Sequence, residues 1–141
     1  MIYVPSETVT SDEFRAVTGV AEGVCDRISL YLGLLEKWQA RINLVGPSTM
    51  ADPWRRHVLD SAQLLPLLPD RPGPVVDMGA GAGIPGLILA ACGVSDIHLI
   101  ESNGRKCTFL REAARLMGTP VTVHAQRVDA VTLGAPARAV T

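Results

Sequence analysis

Residues 75–86 read Val-Val-Asp-Met-Gly-Ala-Gly-Ala-Gly-Ile-Pro-Gly, and no other stretch restricts the fold as tightly. A short apolar run closes on Asp77 and is followed by glycines at 79, 81, 83 and 86. Glycine turns sharply, takes positive φ without strain and lets backbone pass close to a ligand. A strand that ends in such a loop and leads into a helix marks an adenine-cofactor site on an α/β sheet.

The charge on Asp77 bears on which cofactor fits. Gly81, Gly83 and Gly86 satisfy G-x-G-x-x-G, the spacing of a nicotinamide-dinucleotide loop. A dinucleotide brings an anionic pyrophosphate to the helix N-terminus, and a carboxylate at the lip of that loop repels it. S-adenosylmethionine carries a cationic sulfonium and an ammonium group instead, and Asp77 attracts both, directly or through water. A second carboxylate supports a nucleoside site without choosing between the two. The apolar run Ile97–Ile100 ends in Glu101, 18 residues beyond Gly83, near the spacing at which a second strand offers a carboxylate to ribose hydroxyls. A helix N-cap for Asp77 and a solvated strand end for Glu101 are the plainer structural roles.

The chain has 141 residues, enough for one domain with a real core. Its 13 basic and 14 acidic residues nearly cancel, but they are unevenly placed. Residues 1–36 carry a net charge of −4, 37–60 of +2, 61–100 of −2 and 101–141 of +3. Basic groups therefore gather around the candidate site, a pattern open to an anionic substrate such as RNA and equally to solvated helix faces. Cys25, Cys92 and Cys107 show no metal-ligand spacing, so a reduced, cytoplasmic protein is expected, with Cys92 and Cys107 as structural thiols on helices. The apolar run Ile84–Val94 is only 11 residues long, too short for a membrane span, and no signal-peptide pattern precedes it.

The pattern divides into a helical region, 1–69, and an α/β region, 70–141. The first ten residues lack periodicity and read as a loose arm. Thr10 or Ser11 is suited to cap a short helix. From Val24 to Ile42, apolar residues recur at spacings of three and four, predicting an amphipathic helix. A second helical segment is expected over 50–68, with Trp54, Val58, Leu59, Ala62 and Leu65 inward, followed by a proline-rich linker. Strands are then predicted at 75–78, 97–100 and 121–123, with helices over 86–92 and 104–117 and Gly118 as a C-cap. Residues 137–141 read as the start of a fourth strand. A sheet of this kind needs later strands beyond the first, so the first strand is expected to lack a neighbour and the domain to be incomplete.

Several segments together resemble the bacterial 16S ribosomal RNA guanine-N7 methyltransferases, the RsmG or GidB family. They are Leu35-Glu36-Lys37-Trp38-Gln39-Ala40-Arg41-Ile42-Asn43-Leu44, Arg56-His57-Val58-Leu59-Asp60-Ser61 and the loop from Asp77 to Gly86. Glu101-Ser102-Asn103-Gly104-Arg105-Lys106, Phe109-Leu110-Arg111-Glu112 and Gln126-Arg127-Val128-Asp129 complete the set. The glycine loop specifies only a cofactor class; the Arg-His…Asp-Ser box followed by Gly-Ile-Pro-Gly is far more selective.

The resemblance implies a Rossmann-like, class I S-adenosylmethionine-dependent fold with an N-terminal helical region and with later strands of the sheet missing. It places cofactor contacts at Gly79, Ile84, Glu101, Val128 and Asp129; Asp77, Gly81, Gly83 and Ser102 join them as candidates. It implies 16S ribosomal RNA or the small ribosomal subunit as partner; no membrane partner is expected from the short apolar run, and a monomer is the default expectation with the oligomeric state left open. Guanine N7 bears a lone pair and no proton, so no general base is expected and no catalytic residue is assigned. Arg56, His57, Arg105 and Lys106 are the RNA-phosphate candidates, with a structural role open for His57 and plain surface charge for the others. The family's Arg-Ala motif after the fourth strand lies beyond Thr141, so an inactive chain is also expected. Two other readings stay open: a non-catalytic S-adenosylmethionine- or RNA-binding fragment, and a nicotinamide-dependent oxidoreductase.

Overall fold

The computed structural model describes residues 8–141. The arm expected over the first ten residues lies mostly outside that range, and its end is not loose. Val9 is buried and its N–H donates to Asp52 Oδ1 at 3.1 Å. Helix α1, Ser11–Thr18, starts at a capping box. The Thr10 side chain accepts from the Glu13 N–H, and the Glu13 carboxylate accepts from the Thr10 N–H at 2.8 Å.

Helix α2, Glu22–Gln39, buries Ile28, Tyr31, Leu32 and Leu35 of the predicted stripe, together with Val24, Cys25 and Leu34, while Trp38 and Ile42, the stripe's other members, are half-buried. It stops before Ile42 because Gln39 folds back over the turn. The Gln39 side-chain oxygen accepts from the N–H groups of Leu44 and Val45, and its NH2 donates to the Val45 carbonyl. One side chain thus satisfies the backbone that a continuing helix would have paired.

The single helix expected over 50–68 does not form. The segment is built of a 3-10 turn, Pro47–Ala51, a π-helical stretch, Trp54–Leu59, a short α-helix α3, Asp60–Ala62, and a second 3-10 turn, Leu65–Leu67. Pro53 and Pro66, inside that span, each lack the N–H that a continuous helix requires. With more residues per turn, successive side chains lie closer together around the axis of the π-helical stretch, and His57, Val58 and Leu59 are all buried. Trp54 packs at 5.5 Å from Phe14 of α1.

Strands β1, Val75–Met78, and β2, Ile97–Ile100, and helix α5, Gly104–Met117, fall where the pattern predicts. Helix α4, Gly86–Ala91, ends at Cys92 as its cap. Strand β3, Thr122–His124, begins one residue later than expected and pairs Thr122 with His98. Strand β4, Ala139–Val140, pairs with β1, and the four strands form a parallel sheet of order β3-β2-β1-β4.

The first strand therefore has a neighbour on each side, contrary to expectation. The Arg138 N–H donates to Pro74 O at 2.8 Å, the Thr141 N–H to Val76 O at 2.8 Å, and the Met78 N–H to Thr141 O at 3.0 Å. Four residues of β1 align with β2 on the other flank. Apolar residues of both regions, from Val9 and Phe14 to Phe109 and Met117, form one hydrophobic cluster. Among the described residues no helix is long and apolar enough to cross a membrane.

Candidate cofactor site at the carboxyl edge of the sheet

The strand order reverses at β1, since β2 and β3 lie to one side and β4 to the other. Ligands of open α/β sheets sit at such a switch point, beyond the carboxyl ends of the strands. The loop between β1 and α4 occupies that place. Gly79, Gly81 and Gly83 take φ of 68°, 53° and 82°, the left-handed region that disfavours side chains.

Glycine is required for different reasons along the loop. A Cβ at Gly79 would meet nothing within 4 Å, so the backbone there faces open space a ligand can share. A Cβ at Gly86 would lie 2.3 Å from Leu99 Cδ2 and 2.8 Å from Asp77 Oδ2, so here α4 packs directly on the sheet.

Two carboxylates fix the loop. Glu101, at the end of β2 and only 9% exposed, accepts from the Gly81 N–H at 2.9 Å with Oε1 and from the Asn103 N–H at 2.8 Å with Oε2. Asp77 is 4% exposed, and its Oδ2 accepts from the Gly86 N–H at 3.0 Å. Burial pushes the Asp77 carboxyl up to about 6, against the Gly86 N–H and the Thr141 hydroxyl, which favour its charged form. Asp77 thus takes up the structural role open to it, receiving the first N–H of α4.

The N-terminal helices also reach the loop. The buried Tyr31 hydroxyl donates to Ala82 O at 2.5 Å. Nothing in the sequence signals this bond; Tyr31 reads only as one member of an apolar stripe. The cap of α5 has a clearer sign, an asparagine before Gly104, and Asn103 Oδ1 indeed accepts from the Lys106 N–H at 3.0 Å.

The remaining candidates divide by position. Ser102 is exposed beside Glu101, and Val128 and Asp129 are exposed on a 3-10 turn, Val128–Ala130, past the end of β3. Ile84 lines, with Pro85, a cleft of about 710 Å³ whose other wall includes Asp60, Ser61 and Leu64. The Asp-Ser half of one motif thereby meets the Ile-Pro of another. Arg56 and Arg105 are exposed and Lys106 half-exposed.

His57 is not available to a phosphate. The residue is 8% exposed, Nε2 lies 2.7 Å from Thr49 Oγ1, and burial together with Arg56 holds its pKa below the usual histidine range. The neutral ring ties the π-helical stretch to the preceding turn, which is the structural alternative.

A parallel sheet of order 3-2-1-4, a glycine loop after β1 and a carboxylate at the end of β2 define a Rossmann-like nucleoside-cofactor domain. The chain belongs to the family described as GidB, rRNA small subunit methyltransferase G, which it matches over residues 24–141. This is a class I family whose methyl donor is S-adenosylmethionine.

Several curated relatives carry the name ribosomal RNA small subunit methyltransferase G. The one from Rhodospirillum centenum is 52% identical over 126 residues, 89% of this chain and 58% of its own length. That from Rhodospirillum rubrum is 51% identical, covering 87% of this chain and 61% of its own length. That from Paramagnetospirillum magneticum is 54% identical, covering 85% and 58%. The chain thus spans about three fifths of the length of these relatives. Membership in a methyltransferase family leaves the dinucleotide spacing of the loop a coincidence of its glycines.

Proposed function

We propose that this chain binds S-adenosylmethionine on the Gly79–Gly86 loop and serves the methylation of guanine N7 in 16S ribosomal RNA. The observation that carries the reading is the Glu101 bridge. One buried carboxylate spans the ends of β1 and β2 through Gly81 and Asn103, and each oxygen retains a lone pair for a ribose hydroxyl. The open space over Gly79 suits a ligand lying against backbone, and this reading assigns the adenine edge to Val128 and Asp129, exposed past β3.

S-adenosylmethionine supplies an electrophilic methyl group on a cationic sulfur. The N7 lone pair forms the new N–C bond as the S–C bond breaks, and that electron pair returns to sulfur. No proton moves. The work left to the chain is orientation. Glu101 and the loop fix the sugar, and the Asp77 charge under the loop favours the cationic cofactor over its neutral product.

The test is calorimetry with S-adenosylhomocysteine, followed by assay of N7-methylguanine in small ribosomal subunits lacking that methyl group. Binding is expected, and Glu101→Gln should weaken it about tenfold, since the new NH2 meets an N–H donor where an acceptor stood. Binding without methyl transfer would favour the non-catalytic module instead. NADH binding in place of S-adenosylhomocysteine would overturn both.

A further inference from the structure

A second groove lies between the end of α2 and the first turn of α5. It holds about 690 Å³, has Leu34 and Trp38 on one wall, and is lined by Lys37, Arg41 and Arg105 against a single carboxylate, Glu112. All three cations are exposed. Ion pairs among the described residues join Arg55 to Asp52, His98 to Asp96 and Arg127 to Asp129, and none involves this trio.

The walls are firmly set. Trp38 packs edge-on at 5.6 Å against Phe109 of α5, and the Arg41 N–H donates to Trp38 O at 2.9 Å, holding Arg41 one turn beyond Lys37. Arg105 is placed by the Asn103 cap, four residues after Glu101. Arg105 thus sits in the first turn of α5, which follows the carboxyl end of β2. Unpaired cations that converge beside an aromatic wall suit a single nucleic-acid strand, whose phosphates meet the charges while sugar or base lies on the ring.

We propose that the Lys37–Arg41–Arg105 groove holds the backbone of the RNA strand that presents its base to the methyl donor. The proposal rests on the methyltransferase reading above and adds a path for the substrate. Lys37 and Arg41 act here with Arg105, so the α2 end is part of the RNA surface.

The test is fluorescence anisotropy of a short labelled single-stranded segment of small-subunit ribosomal RNA, titrated with this chain over a range of salt. Lys37→Ala/Arg41→Ala should bind at least about tenfold more weakly at low salt. Its log–log salt slope should be shallower by about 1.4, or about 0.7 for each phosphate that is no longer neutralised. Arg105→Ala alone should flatten the slope by about half as much, which keeps the test decisive if the double variant does not fold. Arg115→Ala, in the last turn of α5, should leave RNA binding unchanged. S-adenosylhomocysteine affinity of the double variant should match that of the unaltered chain. Absence of RNA binding by the unaltered chain, or unchanged affinity and slope in both groove variants, overturns the proposal. RNA binding with the expected slopes in a chain that binds no S-adenosylhomocysteine upholds the groove and overturns the methyltransferase reading.

Discussion

The hydroxyl of Tyr31, in the middle of α2, donates to the carbonyl of Ala82 in the glycine loop, 51 residues away, at 2.5 Å. Both residues are buried, so the bond replaces water that could not otherwise reach either group. Burial and the nearby Asp77 charge hold the phenol well above its usual range, so it stays protonated and donates.

Tyr31→Phe removes the donor and little else, because the ring keeps its packing against Phe109 at 6.1 Å. The Ala82 carbonyl is then buried without a partner, which costs about 1–3 kcal/mol. Urea unfolding should show that loss as a lower midpoint at unchanged slope. S-adenosylhomocysteine affinity should also fall, since the loop loses its tie to α2. An unchanged midpoint would mean that the loop holds its conformation without Tyr31.

Much of this architecture is legible in the sequence where one physical signal dominates. Val75–Met78 and Ile97–Ile100 are short apolar runs closed by turn formers, and both strands begin and end as the pattern predicts. The α5 helix is equally plain, bounded by Asn103 and Gly118. Legibility fails where tertiary contacts override local pattern. The 50–68 segment has helical apolar spacing, yet its prolines and the inward turn of three successive residues break it into different pitches. For Asp77 the sequence shows a charge at the lip of a loop and cannot show that its oxygen already receives the Gly86 N–H. The pairing of β1 with residues 138–141 is hidden because that stretch is too short to read as a full strand.

On the β3 side of the sheet, His98 Nδ1 lies 2.8 Å from His124 Nε2, and His98 Nε2 lies 2.9 Å from Asp96 Oδ1. The rings stack at 5.1 Å. Burial, and then the neighbouring His98, hold His124 below the usual histidine range. A depressed native pKa means that the unfolded chain binds the proton more readily. The stabilising contribution is therefore complete above about pH 6.5 and is lost as pH falls below it. His124→Gln lacks this titration, so the melting temperature of the unaltered chain should drop more steeply between about pH 7 and 5 than that of the variant. Parallel curves would count against the paired histidines as the cause.

Gly86→Ala and Gly79→Ala separate two reasons for glycine in one loop. At Gly86 the new methyl group collides with Leu99 and Asp77, and relief requires α4 to move off the sheet. Overpacking of this kind costs about 1–3 kcal/mol or more. At Gly79 the methyl group meets nothing, so the cost is the left-handed backbone alone, about 1–2 kcal/mol. The distinguishing readout is ligand binding relative to stability. Gly86→Ala should lose more stability, whereas Gly79→Ala should lose S-adenosylhomocysteine affinity disproportionately, because its methyl group occupies the space left for the ligand. Equal ratios in both variants would contradict this division.

Asp77→Asn tests the buried charge directly. The amide oxygen can still accept from the Gly86 N–H, so the start of α4 is kept while the charge is removed. The native carboxyl titrates near 6, against an ordinary value of 3.8. A raised native pKa means that the folded chain takes up a proton which the unfolded chain does not hold. That contribution is complete below the ordinary value and is lost as pH rises through the native one. The unaltered chain should therefore lose stability relative to Asp77→Asn between about pH 4 and 7, by roughly 3 kcal/mol, with no further change above that window. Binding should move the other way. At pH 8 the variant should lose affinity for S-adenosylmethionine, whose sulfur is cationic, more than for S-adenosylhomocysteine, whose sulfur is neutral. Equal losses for the two ligands would show that Asp77 acts only through the Gly86 N–H and not through its charge.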